Sequence, residues 1–433
     1  MPPVPRPNEP WYRRLVSNPL FWLTLVLLPL FALSLWSQWV MLSADKVFPD
    51  GTESLGLNLE SVRFGAFWAM WTALAWVLLF LWLDRFRRQA PLVWLLTFLW
   101  GACAATWFSI HVNTWAGQAM STTDANSDMG VRPAIFAAPW VEEFSKATVL
   151  FLLIILFRAR IVSRLSIVSL SGLSAIGFAF GENIVYYARA LVFVSNTFEI
   201  ENPGAEVMQL VLMRGLYTSF AHPMFTMMTA MGLAIALNAR SKIVRIVAPL
   251  AGFTLAAGGH MLFNGVVSTS GSSGLKLPWL MALGLLTLII IFLILSVVTQ
   301  KQLIRRRLQD YRQLGWLTDR DVIVFSGSFR RMKLHLAGLL RGPRTWWATA
   351  KFMRYMTELA YIREGRTRGT VSVGGDYRAH ELIHAIEALR PTALTETKGL
   401  RIWPRRKRKP ASSLPAPSAP GPAGLGGNWP RRS

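Results

Sequence analysis

Four blocks of ionisable side chains lie inside otherwise apolar sequence, and their residue types are those of a hydrolytic centre. The first is Trp140-Val141-Glu142-Glu143-Phe144-Ser145-Lys146, where Lys146 follows both carboxylates by one helical turn, at i+4 from Glu142 and i+3 from Glu143. One carboxylate is neutralised by the ammonium and the other is left over. Adjacent helix positions point ~100° apart, so the two glutamates cannot both aim at one atom. The second block is Gly181-Glu182-Asn183, preceded by Gly177 and followed by Tyr186 and Tyr187. The third comprises Arg214, Ser219 and His222-Pro223, where the proline frees the Ser219 carbonyl. The fourth, Gly258 to Asn264, places the imidazole of His260 and the amide of Asn264 on one helix face. Together they supply a base to activate water, a group to protonate a leaving amine and donors for a developing oxyanion. Taken singly each block is ambiguous, since a lone histidine can be a packing residue and a Glu/Lys pair a structural ion pair. The same set would also serve a proton-coupled transporter or channel.

The elements that carry these blocks are membrane helices. The chain has 433 residues, of which 52% are hydrophobic and only 16% charged, against ~25% charged in a soluble protein. Runs long enough to cross a ~30 Å hydrocarbon core predict eight spans, at about 20–41, 64–83, 91–112, 135–157, 166–193, 207–237, 244–269 and 277–298. The first run is too long for a signal-peptide core and has no good cleavage site after it, so it reads as an anchor. A single cysteine, Cys103, excludes a disulfide framework or a zinc ribbon.

Loop charges orient the bundle. The leader and the loops after spans two, four and six hold Arg6, Arg13, Arg14, Arg85, Arg87, Arg88, Arg158, Arg160, Arg164, Arg240, Lys242 and Arg245, whereas the remaining loops hold only Lys46, Arg63, Arg132 and Lys276. Both termini are therefore expected in the cytoplasm. Counted inward at 1.5 Å per residue from the outer ends, Glu142 lies ~10 Å deep, His260 ~13 Å, Glu182 ~17 Å and His222 ~22 Å, one slab from the outer leaflet to the midplane. Ionisable groups there cost about 2.5–3.5 kcal/mol each on insertion scales, so a chain that keeps several in one layer has a functional-site candidate there.

The net charge of +23 is a property of the end of the chain. After Val298 there are 27 Lys or Arg and nine Asp or Glu, a balance of 27 − 9 = +18, which leaves +5 for everything before. The expected organisation is a cytoplasmic leader (1–19), an eight-span domain (20–298, motif core about 133–267), a basic cytoplasmic helical segment (299–402) and a disordered polybasic, proline-rich tail (403–433). The run Arg405-Arg406-Lys407-Arg408-Lys409 beside a membrane is read as a site for anionic lipid in preference to nucleic acid. The fold class is all-α: a polytopic helix bundle with both termini inside.

The four blocks, spread over four successive spans from about Pro133 to Val267, resemble the PrsW family of bacterial intramembrane proteases, itself similar to the CAAX prenyl protease group. The resemblance implies a bacterial cytoplasmic-membrane endopeptidase that cuts a membrane-anchored protein, typically a single-span anti-sigma factor, near the extracytoplasmic face. Carried over, Glu142 or Glu143 activates water, with Glu142 preferred and Lys146 setting its charge state. His222, His260 and Asn264 then bind the water, the scissile carbonyl or a metal. His222, His260 and Glu182 form a candidate His₂Glu zinc site with an open position, while the prenyl proteases look metal-free. The choice between zinc and a metal-free glutamate stays open at this level, and the resemblance leaves the basic carboxyl-terminal segment unexplained.

A second motif competes. His380-Glu381-Leu382-Ile383-His384 fits HExxH, but Glu387 stands where the longer zincin signature needs glycine, and no histidine follows. It reads better as an amphipathic helix with Leu382, Ile383 and Ile386 inward. Two rival functions remain beside the protease: the proton-coupled transporter or channel, and a membrane tether whose basic tail recruits nucleic acid.

Overall fold

In lipid every backbone N–H and C=O must be paired within its own segment, so long apolar runs become helices. The computed structural model describes residues 10–47, 53–86, 89–121, 131–157, 163–197, 202–269, 276–367 and 373–394. These residues are all-α apart from one short antiparallel ladder, β1 (Lys46–Val47) with β2 (Glu53–Ser54). The polybasic run 405–409, the tail 403–433, most of the leader and Arg87, Arg88, Arg158 and Arg160 lie outside the described residues.

The helices are α1 (Trp11–Val16), α2 (Pro19–Ser43), α3 (Leu59–Leu83), α4 (Pro91–Leu99), α5 (Thr106–Ser121), α6 (Val131–Phe136), α7 (Ala138–Phe157), α8 (Arg164–Thr197), α9 (Pro203–Leu212), α10 (Ala221–Asn238), α11 (Lys242–Thr269) and α12 (Lys276–Gln313). Among the described residues seven stretches are long and apolar enough to cross a membrane: Pro19–Ser43, Leu59–Leu83, Pro91–Met120, Arg164–Asn196, Pro203–Leu237, Lys242–Ser268 and Trp279–Gln313. The remaining expected span, the fourth at about 135–157, coincides with α7, whose 20 residues would reach about 30 Å. It is absent from the seven because Glu142, Glu143 and Lys146 make it too charged for an ordinary span.

Two of the spans are not simple α-helices. A π-helical turn, Trp100–Ala105, joins α4 to α5, and another, Met213–Tyr217, follows α9. The second ends in a break at 218–220 before α10 begins. Span six is thus two helices, where the sequence suggested one helix with a freed carbonyl. Pro223, lacking an N–H, stands in the first turn of α10, where no intrahelical donor is needed. Irregular backbone at membrane depth is tolerated where protein pairs it, and α3 does so here: Thr72 Oγ1 donates to the Gly215 carbonyl at 2.8 Å and Trp76 Nε1 to Ser219 Oγ at 3.3 Å.

Packing divides the chain into two compact units, with the boundary between Leu293 and Ile294. In the first, α8 is the central element and packs against α3, α7 and α10. Ser166, Ser169, Ser171 and Ser174 on its inner faces are fully buried. At Gly101 a Cβ would collide with the Ser174 carbonyl, and at Gly177 with the Phe98 carbonyl, so the first π-turn and α8 touch backbone to backbone through small residues. The second unit continues from α12 into α13 (Asp319–Ser326), α14 (Ser328–Leu340), α15 (Pro343–Thr367) and α16 (Val373–Leu394). Its core includes Phe325, Phe352, Met356, Leu359, Leu382 and Ile386, and Arg390 clamps buried Asp321 with two bonds of 3.1 and 3.0 Å.

Candidate active site

The register of α7 decides which carboxylate is spoken for. Lys146 is fully buried, with Nζ 2.7 Å from Glu143 Oε1 and 3.6 Å from Glu142 Oε2. Glu143, also fully buried, collects two further partners from other helices. Thr226 Oγ1 on α10 donates to its Oε2 at 2.7 Å, and His260 Nδ1 on α11 lies 3.1 Å from its Oε1. The neutralised carboxylate is therefore Glu143. Glu142 is buried beside it, and its Oε2 takes part in no hydrogen bond.

Across the site, His222 lies between two charged groups. Its Nδ1 is 3.1 Å from Lys146 Nζ, and its Nε2 is 3.0 Å from Glu182 Oε2 on α8. With Lys146 an ammonium, Nδ1 accepts and the ring carries its proton on Nε2, directed at Glu182. Arg214 in the second π-turn pairs with Glu182 through NH2 and donates from Nε to Asn183 Oδ1 at 2.9 Å. Its guanidinium also stacks 3.8 Å from the Tyr186 ring centre. One continuous polar chain thus runs His260, Glu143, Lys146, His222, Glu182, Arg214 across α11, α7, α10, α8 and the second π-turn.

Aromatic walls fix the rings. Phe225 stacks on His260 with planes 8° apart, the two imidazoles meet edge-on with centroids 5.5 Å apart, and Phe178 lies against both His222 and Lys146. Trp100 Nε1 of the first π-turn donates to the Ser145 carbonyl at 2.9 Å, and Ser174 Oγ donates to that of Lys146 at 2.8 Å. Both bonds hold the α7 backbone at the level of the site.

Six of the seven residues singled out from sequence, Glu142, Glu143, Lys146, Glu182, His222 and His260, come together. Asn264 shares its face with His260 as expected, but its amide donates to the Ala134 carbonyl at 3.0 Å and so ties α11 to α6. Thr226 was not foreseen. Its spacing of four from His222 is the signal, since both then face α7 from one side of α10. The HExxH residues stand apart in the second unit: Glu381 pairs with Arg378 at 3.2 Å and His384 lies 3.7 Å from Glu387. Among the described residues the metal-capable group is a different one.

Glu142, His222 and His260 each offer a ligand atom, all within 4.8 Å of one another. Three observations fit a cation there. The carboxylates of Glu142, Glu143 and Glu182 outnumber the two cations, Lys146 and Arg214, by one. The excess charge is left with Glu142, whose buried Oε2 lacks a hydrogen bond and has only the longer ion pair to Lys146. His260 is held at Nδ1 by a carboxylate, the outer partner that directs Nε2 to a metal. His222 ligates only by giving up its bond to Lys146 or to Glu182. Glu142 thereby takes the place that the sequence assigned to Glu182, because Arg214 and His222 already occupy Glu182.

A buried Glu/His/Lys cluster within a bundle of membrane-length helices is an arrangement that a membrane-embedded hydrolase can use. Residues 89–298 match the family model for PrsW family intramembrane metalloproteases; this stretch belongs to that family, and the protein is an intramembrane peptidase. No curated protein and no solved structure matches the chain.

Proposed function

We propose that this protein hydrolyses a peptide bond in a membrane-anchored protein near the extracytoplasmic side, with Glu142 as the base that activates water. In this reading α7 is an eighth span, both termini lie in the cytoplasm of a bacterial cell and the membrane is the cytoplasmic one. The loop cations support that orientation. The substrate class is a single-span protein, an anti-sigma factor being the type the family resemblance implies. The observation that carries the proposal is the buried Glu142 carboxylate, whose Oε2 has no hydrogen bond and only a 3.6 Å ion pair to Lys146, and which offers an atom within 4.8 Å of two imidazoles.

Glu142 takes a proton from water and delivers it to the leaving amine. Glu143 does not compete for that proton, because Lys146, Thr226 and His260 occupy it; its work is to hold His260. Lys146 joins the two halves of the site, binding Glu143 on one side and His222 on the other. Arg214 and Glu182 then fix the His222 ring from behind. Glu142, His222 and His260 would hold a divalent ion, and two imidazoles with one carboxylate suit zinc. When bound, such an ion supplies a more acidic water and a polarised carbonyl. A carboxylate has two oxygens, so holding a cation with one leaves the other free to accept a proton.

The test is Glu142→Gln in protein reconstituted with a single-span substrate. The amide keeps the size of the side chain and removes the base, so cleavage should fall by about 10²–10⁴ while abundance and thermal unfolding stay as in the parent. Cleavage at the parental rate would overturn the proposal.

A further inference from the structure

The second unit carries an exposed apolar face that its own fold does not cover. On α14 the buried positions are Arg331, Leu334, Ala337 and Gly338, which turn toward the bundle. Gly338 sits against Trp346 and Thr349 of α15. The opposite face presents Phe329, Met332, Leu336, Leu339 and Leu340, all exposed, and Trp347 near the start of α15 is exposed as well. Leu340 is 80% accessible, a poor state for a leucine in water. Such contiguous apolar patches mark interaction sites.

Charge identifies the occupant. From Val322 to Thr357 the chain has seven Lys or Arg and no Asp or Glu. Arg331 is used internally, donating to Thr357 Oγ1 at 2.8 Å. Arg330, Lys333, Arg341 and Arg344 are exposed on and beside the apolar face. Lys333 and Lys351 lie over the rings of Phe329 and Trp347 at 4.6 and 4.5 Å, stems along the apolar surface. A helix with aromatic and leucine residues on one face and cations around it is the pattern that lies in a bilayer interface and prefers anionic headgroups. A membrane is at hand on the same chain, since the last apolar run ends at about 298, 328 − 298 = 30 residues before α14.

We propose that α14 and the first two turns of α15 form an interfacial anchor, seated by Phe329, Leu336, Leu340 and Trp347 in the acyl boundary and by the surrounding cations on anionic lipid of the leaflet it faces. This surface uses residues other than those of the 405–409 run and of the peptidase site.

The test uses full-length protein carrying Leu336→Cys with a nitroxide label. Cys103 is buried, and the parent without an added cysteine gives the background. In vesicles of phosphatidylcholine with one-third phosphatidylglycerol, the label should be open to oxygen and shielded from a water-soluble nickel complex. The same label at His384→Cys, on exposed α16 surface, should stay open to nickel. Shielding should drop severalfold in phosphatidylcholine alone, at high salt, or when Arg330, Lys333, Arg341 and Arg344 are replaced by Gln. Nickel access in the anionic vesicles would overturn the proposal. So would shielding that is unchanged without anionic lipid, that follows protein density in the vesicle and so reports self-association, or that needs added duplex DNA.

Discussion

Removing the Thr226 hydroxyl isolates the contact that joins α10 to the α7 carboxylate. Thr226→Val keeps the side-chain shape and deletes one bond, Oγ1 to Glu143 Oε2 at 2.7 Å, with both residues fully buried. Interhelical hydrogen bonds in membrane proteins average only about 0.6 kcal/mol, with a maximum near 1.7. Bonds to charged groups are worth about 1.5–3 kcal/mol. Because the acceptor is a carboxylate and both partners are fully buried, the value belongs where the two ranges overlap, about 1.5 kcal/mol. Glu143 orients His260, so if this energy is expressed in the transition state, kcat falls about tenfold. KM for a single-span substrate should hardly change, because Thr226 holds Glu143 rather than substrate. The assay is cleavage in proteoliposomes with kcat and KM separated, beside thermal unfolding in detergent. Thr226→Ser, which keeps the donor, should recover most of the rate. In a Glu143→Gln background the stability cost of Thr226→Val should shrink, since the bond is then neutral. A Val variant with parental kcat and stability would refute the reasoning, as would a Ser variant as slow as Val.

Two further outcomes follow from the same geometry. Metal analysis of purified protein should return one divalent ion per chain, lost with His260→Ala and removed by chelation together with activity. A fully active protein without metal would leave Glu142 working alone as the base. Replacing both His380 and His384 by Ala should leave metal content and cleavage unchanged, because those side chains sit on the other unit with Glu381 paired to Arg378; a loss of bound metal would reopen the HExxH motif.

Much of the site was legible because lipid penalises charge so heavily that each polar block inside an apolar run announces itself. Glu142, Glu182, His222 and His260 were found that way, and the depth estimate put them in one layer. The roles within the cluster were not legible. Lys146 stands within reach of both glutamates on a helix, and what favours Glu143 is His260 and Thr226, which arrive from α11 and α10. Asn264 shows the reverse: its face was predictable, its partner Ala134 on α6 was not. The π-turns at Trp100–Ala105 and Met213–Tyr217 leave no compositional trace, since one extra residue per turn changes the aim of side chains without changing hydropathy.

From the chain alone one can deduce helices of membrane length, the family resemblance and the polar residues too costly to be accidental, because each depends on local properties: run length, residue type, spacing of three or four. Which glutamate is left without a hydrogen bond at one oxygen, why Glu142 rather than Glu182 completes the metal-capable group, and how a broken span aims Arg214 at Glu182 depend on distances between helices far apart in sequence. Those distances are set by how α7, α8, α10 and α11 pack on one another, and no local pattern encodes them.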